Sequence, residues 1–194
     1  MDTSLAGKRV AFLFTDGVEQ SELLDPLNAV RQAGAETVLV SPHGGGVQMV
    51  QHDEKGDLIT TQLTSESADP DDFDALVLPG GVRNPDSLRT HPNVIQLIKD
   101  FAAQGKPVAA ICHGPWLLVE ADLLRGRTAT SWPSIRTDLR NAGANVVDEA
   151  VAVDENIITS RKPDDVEPFT NAVIDLVENA PEVSEIHNPR EVPA

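Results

Sequence analysis

Short apolar runs alternate along this chain with longer segments whose apolar positions recur at helical spacing. Lys8 to Phe14 reads as a buried strand, bounded by Thr15-Asp16-Gly17. Leu23, Leu27 and Val30 then mark one face of a helix, and Gly34 follows as its C-terminal cap. Thr37 to Val40 is a second strand, ending at Ser41-Pro42. Between Gly44 and Gln62, the apolar residues Val47, Met49, Leu58 and Ile59 flank His52-Asp53-Glu54-Lys55-Gly56, which predicts a hairpin. Asp74 to Leu78 is another apolar run, closed by Pro79-Gly80-Gly81. Val94, Leu97, Ile98 and Phe101 give the next helix, stopped by Gly105.

Pro107 to Ile111 is a further short apolar run, after which Gly114-Pro115 opens a helix through Leu117, Leu118 and Leu123. Beyond it the pattern predicts a strand at Thr128 to Ser131 and a helix near Ile135 to Asn141. Strand-like Val146 to Val153, Ile157 to Thr159 and a last helix from about Val166 to Val177 follow. Strands alternating with helices imply an α/β protein whose sheet is mainly parallel and covered on both faces. Residues 1–180 are expected to form one domain, and 181–194, with three prolines and scattered charges, a C-terminal extension. No internal repeat or second domain is expected.

Composition narrows the function classes. The 194 residues are 40% hydrophobic and 24% charged, the profile of an ordinary globular chain. Fifteen basic residues against 31 acidic ones give a formal charge of −16, a surface that repels phosphate backbones and anionic lipid. Nucleic acid and membranes are therefore not expected partners. No apolar stretch approaches the ~20 residues that span a bilayer. The first eight residues lack a secretory pattern, and a lone cysteine cannot form an intrachain disulfide, so a cytoplasmic location is expected.

That cysteine, Cys112, sits between the predicted strand and the predicted helix, the arrangement of a nucleophile elbow. A helix N-terminus below the sulfur favours a thiolate. In an open α/β sheet, ligands bind beyond the carboxyl ends of the strands. Cys112, the pair Gly80-Gly81, and Glu19 with Glu22 all follow predicted strands and fall on that edge. The glycine pair is expected to turn a backbone N–H toward the sulfur, with the N–H of His113 as a second oxyanion donor. Glu22 lies four residues before Pro26, which has no N–H to bond the Glu22 carbonyl and so makes that helical turn irregular. If protonated, a Glu22 carboxyl near the sulfur can donate to a thiolate, so that one proton serves both groups. His113 is a candidate base, although neighbouring side chains usually diverge, and Asp86 is a candidate acid to orient it. His43, His52, His91 and His187 read as surface residues without metal spacing. No dinucleotide or phosphate-loop glycine pattern is present, and neither cofactor nor metal is expected.

Taken in order, several segments resemble the PfpI (intracellular protease I) family, within the superfamily of the parkinsonism-associated deglycase. They are Val18-Glu19-Gln20-Ser21-Glu22, Asp72 to Gly81, Ala110-Ile111-Cys112-His113-Gly114-Pro115, Asn141 to Ala144, and Ser160 to Asp165. The resemblance implies a flavodoxin-like three-layer sandwich and self-association as a homodimer or a hexamer of dimers. It also implies that Cys112 is the nucleophile or oxidation-sensitive thiol and selects Glu22 over Glu19 as its partner. Proteases of the family pair the histidine after the cysteine with an acid of a neighbouring subunit, and Asp86 is the nearest match here. Trp116 stands where the family more often has Gln, and is expected to narrow the pocket or pack on a partner.

Three functions follow as expectations. The resemblance puts first a stress-response cysteine hydrolase acting on peptides through Cys112, His113 and an acid. The second is a glutathione-independent glyoxalase or deglycase acting on small aldehydes through Cys112 and Glu22. The third is a redox sensor or chaperone switched by oxidation of Cys112.

Overall fold

A computed structural model describes residues 4–180; the proposed C-terminal extension and His187 lie outside the described residues. The chain order begins β1 (Arg9–Leu13), α1 (Gln20–Gln32), β2 (Glu36–Ser41), β3 (Gly46–Gln51), β4 (Glu54–Thr60), β5 (Leu63–Thr64) and β6 (Ala75–Leu78). It continues with α2 (Arg83–Leu88), α3 (Pro92–Ala103), β7 (Val108–Ile111), α4 (Pro115–Glu120), β8 (Thr128–Ala129) and α5 (Arg136–Asn141). The last elements are β9 (Asn145–Val146), β10 (Val151–Asp154), β11 (Ile157–Ser160) and α6 (Val166–Glu178).

Seven strands form one sheet in the order β10-β11-β7-β6-β1-β2-β5. All neighbouring pairs run parallel except β10 with β11, so the mainly parallel α/β sheet expected from the sequence is present. Its central strands are buried along their whole length, which is why β6 and β7 read as continuous apolar runs rather than alternating ones. On one face, Leu23 and Leu27 of α1 and Phe169 and Val173 of α6 pack over Phe12 and Val77. On the other, Leu97, Ile98 and Phe101 of α3 and Leu117 and Leu118 of α4 cover Leu13, Leu76 and Val108. Two apolar layers on one sheet make the three-layer flavodoxin-like sandwich.

Several boundaries differ from the sequence reading. The hairpin β3–β4 forms outside the main sheet, and its turn is only His52-Asp53. His52 takes a left-handed φ of 59° there, so the strand resumes at Glu54. The single strand expected at Val146 to Val153 splits, because β9 pairs with β8 and only β10 joins the main sheet. The six-residue helix α2 carries Arg83, Asn84, Pro85, Asp86 and Ser87, too few apolar residues to show a period.

The topology fixes the position of the site. β7, β6 and β1 are neighbours, and residues following each of them stand side by side at one edge of the sheet. Asn84, fully buried on α2, ties two of these loops together: its amide donates to the carbonyls of Pro79 and Gly80, and its carbonyl accepts the N–H of Thr15.

Candidate active site

Cys112 follows β7 with a φ of +64°, a left-handed conformation unusual for a residue with a Cβ. The strain is held in place from both sides. The Cys112 N–H donates to the Ser160 carbonyl at 3.0 Å, and its own carbonyl accepts the Trp132 N–H at 2.9 Å. This sharp turn into α4 is the expected elbow. The residue is 6% exposed, so its sulfur is reached only through a pocket.

The second wall is the loop after β6. Gly80 donates its N–H to Oε2 of Glu22 at 2.9 Å rather than to the sulfur. The donors that face Cys112 are the N–H groups of Gly81 and His113. Gly80 thus serves the carboxyl alone, while the Gly81 N–H faces both acidic partners. No larger residue fits at Gly80: a Cβ there would lie 2.7 Å from Cys112 Cβ and 2.8 Å from the Ile111 carbonyl. Gly81 needs its freedom for a different reason, a φ of +78°.

Glu22, in the first turn of α1, is fully buried. Its second oxygen, Oε1, makes no hydrogen bond of good geometry, a costly state for a carboxylate and a tolerable one for a carboxyl that keeps its proton. Burial pushes the Glu22 carboxyl up to about 8, the charge of Glu19 adds to this, and hydrogen bonding with Cys112, Gly80 and Gly81 pulls the other way. The Cys112 thiol is also pushed well above its usual value, by burial first and then by the charge and hydrogen bond of Glu22. The N–H groups of Gly81 and His113 oppose that rise. The helix below the sulfur therefore does not by itself make a free thiolate, as the sequence had suggested. The two groups titrate as a pair instead: the first proton leaves near pH 8, and the remaining one serves both.

His113 behaves contrary to the expectation that adjacent side chains diverge. The positive φ of Cys112 swings the two together, and Sγ lies 3.2 Å from Nδ1. Nε2 lies 3.4 Å from the hydroxyl of Ser134. A tautomer protonated on Nε2 satisfies both contacts, and burial lowers the proton affinity of the ring, which favours that neutral form. The imidazole is clasped between Trp132, stacked at 5.7 Å, and Trp116 at 5.4 Å.

Two expected residues stand elsewhere. Asp86 lies on the exposed face of α2 and does not line the pocket of its own chain. Trp116 does not wall the Cys112 pocket; its Nε1 donates to Asp138 at 2.8 Å and its ring lies under Arg89. The indole in that wall is Trp132, carried by a loop with no periodicity to mark it.

The resulting cavity measures about 520 Å³ and opens over Cys112. Cys112, Glu22, His113 and Gly81 form its floor with Glu19, and His52, Val82, Trp132, Lys162 and Asp164 rise around them. His52, expected as a plain surface residue, is mostly exposed but reaches this rim from the hairpin. Among the described residues, no group of three or more His, Cys, Asp or Glu side chains could hold a metal ion.

The DJ-1/PfpI family model matches residues 8–176, the span that holds Glu22, Cys112 and His113. The chain belongs to the DJ-1/PfpI family. Among its relatives is a Bacillus subtilis protein whose name proposes a cysteine protease, 41% identical over 88% of this chain and 98% of its own. General stress protein 18 of the same organism is 40% identical over 89% of this chain and 99% of its own. A Pyrococcus abyssi protein named a deglycase is 41% identical over 87% of this chain and 99% of its own. The crystal structure of Drosophila melanogaster DJ-1beta matches with a TM-score of 0.80 at 27% identity, covering 92% of this chain and 95% of that one. These DJ-1/PfpI relatives carry names for different activities, so the choice among them falls to the site.

The Glu22 proton makes stability depend on pH. Its affinity is raised from an ordinary 4.5 to about 8 on folding, so its contribution is complete below pH 4.5 and is lost as pH rises through 8. Thermal melts of the native protein are expected to fall across that window, and those of Glu22→Gln to stay flatter. Equal slopes would contradict a protonated, buried Glu22. In Gly80→Ala, alkylation of Cys112 should change at least tenfold, because the new methyl group separates the carboxyl from the sulfur; an unchanged rate would contradict the packing described here.

Proposed function

We propose that the protein is a cofactor-independent enzyme acting on small dicarbonyl aldehydes of the methylglyoxal type, a glyoxalase- or deglycase-type activity. The observation that carries this reading is the Glu22 carboxyl, fully buried with no hydrogen bond of good geometry at Oε1 and lining the same cavity as Cys112, and burial pushes it up to about 8. A group that titrates so close to neutral pH serves in turn as acid and base.

In the first step the pair reacts in its singly protonated form: the thiolate sulfur of Cys112 adds to the aldehyde carbon, and the carbonyl electron pair moves onto oxygen. The N–H groups of Gly81 and His113 support that charge, and the proton of Glu22 neutralises it to give a hemithioacetal. The Glu22 carboxylate then removes the hydrogen of the former aldehyde carbon as a proton; the hydroxyl proton of that carbon moves to the ketone oxygen of the adjacent one, and Glu22 returns its own proton to the adjacent carbon. The first carbon is oxidised to a thioester and the second reduced to an alcohol. Water cleaves the thioester, the C–S bond breaks, and the 2-hydroxy acid leaves with the thiol restored. Glu22 of the same chain carries the carbon-bound proton in both directions.

The peptidase reading has one observation in its favour, the 3.2 Å contact between the sulfur and His113 Nδ1. Among the described residues, however, Nε2 meets the Ser134 hydroxyl and no carboxylate. A Cys-His-acid triad would need an acid from a second copy, and Asp86, exposed on α2, is the residue we propose for that role.

The test is lactate formation from methylglyoxal without glutathione. We expect turnover by the native protein, none by Cys112→Ala, and a loss of about 10²-fold or more in Glu22→Gln. Equal rates in the native protein and Cys112→Ala, with the native thiol shown to be reduced, would overturn the proposal.

A further inference from the structure

Glu19 is the residue of this pocket with no part in the chemistry above. It immediately precedes α1, one helical turn before Glu22, and is 7% exposed although it carries a carboxyl group. Both acids line the same cavity as Cys112. Two carboxyl groups one turn apart in a buried pocket cannot both hold a negative charge cheaply, so the surroundings decide which of them keeps a proton.

The hairpin decides it. Oε2 of Glu19 accepts the backbone N–H of His52 at 2.9 Å, and Oε1 lies 3.8 Å from His52 Nδ1. Glu19 thus has a fixed backbone donor and a titratable imidazole at hand, and it faces the rim. Glu22 has the Gly80 N–H on one oxygen and nothing of good geometry on the other. The hairpin tip is itself well anchored. The Val50 N–H donates to the Val18 carbonyl at 2.9 Å, and a bridge pairs Glu19 with Val50. Gln20 and Asp57 exchange two hydrogen bonds, of 2.8 and 3.0 Å.

We propose that Glu19, clamped by the hairpin tip at His52, is a positioning residue whose negative charge keeps the shared proton on the Glu22–Cys112 pair. It touches neither the sulfur nor the reacting atoms and acts only through Glu22. The other charged groups around the cavity do not replace it. Lys162 is occupied by Asp164 at 2.9 Å, Asp53 is exposed at the hairpin turn, and His113 faces the sulfur. The charge of Glu19 is accordingly among the causes that raise the proton affinity of Glu22.

The inference concerns the same site as the proposed aldehyde chemistry, but its test does not need turnover. The rate of Cys112 alkylation by iodoacetamide is followed against pH in the native protein, Glu19→Gln, Glu19→Asp and His52→Asn. Gln retains an acceptor for the His52 N–H, and Asn tolerates the left-handed backbone at position 52. The native rate should rise with a midpoint near 8, the value set by Glu22. In Glu19→Gln the midpoint should move to lower pH by about one unit, a tenfold change in the proton affinity of the pair. Glu19→Asp, which keeps the charge, should restore most of the native profile, and His52→Asn should not lower the midpoint. A Glu19→Gln profile superimposable on the native one would overturn the proposal, even if that variant were less stable. A midpoint shift without any methylglyoxal turnover would leave this inference standing and remove the glyoxalase reading instead.

Discussion

A buried carboxyl and a buried thiol, set against each other at the end of three parallel strands, impose the constraint on which this site depends. Both groups are buried at the bottom of the cavity, and Glu22 has a hydrogen-bond donor of good geometry for only one of its oxygens. Charging both would place two buried anions side by side, so a proton is favoured between them. The rest of the local structure serves that condition. Gly80 gives its N–H to the carboxyl, Gly81 and His113 give theirs toward the sulfur, and Cys112 accepts a left-handed backbone to reach this position. The strain at Cys112 persists because Ser160 and Trp132 bond the residue on either side.

The same geometry bears differently on the activities that the relatives' names suggest. Proton transfer on a small carbonyl compound needs a nucleophile, an acid–base group and an oxyanion site, and one chain supplies all three. Amide cleavage needs a histidine that can hold a positive charge and return a proton to the leaving amine. His113 is close enough to the sulfur, but its far nitrogen meets a hydroxyl rather than a carboxylate, and burial lowers its proton affinity. The pocket of a single chain therefore supports the proposed aldehyde chemistry better than amide cleavage.

Much of this was legible in the sequence, and the reasons for the gaps are specific. Buried parallel strands are continuous apolar runs, so β1, β6 and β7 announced themselves, and with them the loops that carry Glu22, Gly80 and Cys112. Pro26 singled out the turn of α1 that holds Glu22. What the sequence concealed depended on backbone twist and on distant pairing. The contact of Cys112 with His113 follows from one positive φ, which no residue pattern announces for a cysteine. Asn84 and Trp132 come from segments too short or too irregular for a period, and His52 reaches the pocket only because the hairpin folds back beside α1. Asp86 stands on the exposed face of α2, and Trp116 backs His113 without lining the pocket, its indole bonded to Asp138.

The central claim is that Glu22 carries a proton beside Cys112 at neutral pH. Infrared difference spectroscopy between the native protein and Glu22→Gln at pH 7 tests it most directly. The account predicts a protonated-carboxyl stretch, present in the native spectrum and missing from the variant, that fades as pH rises through about 8. A native spectrum showing only ionised carboxylate at pH 7, with no such band lost in Glu22→Gln, would contradict it.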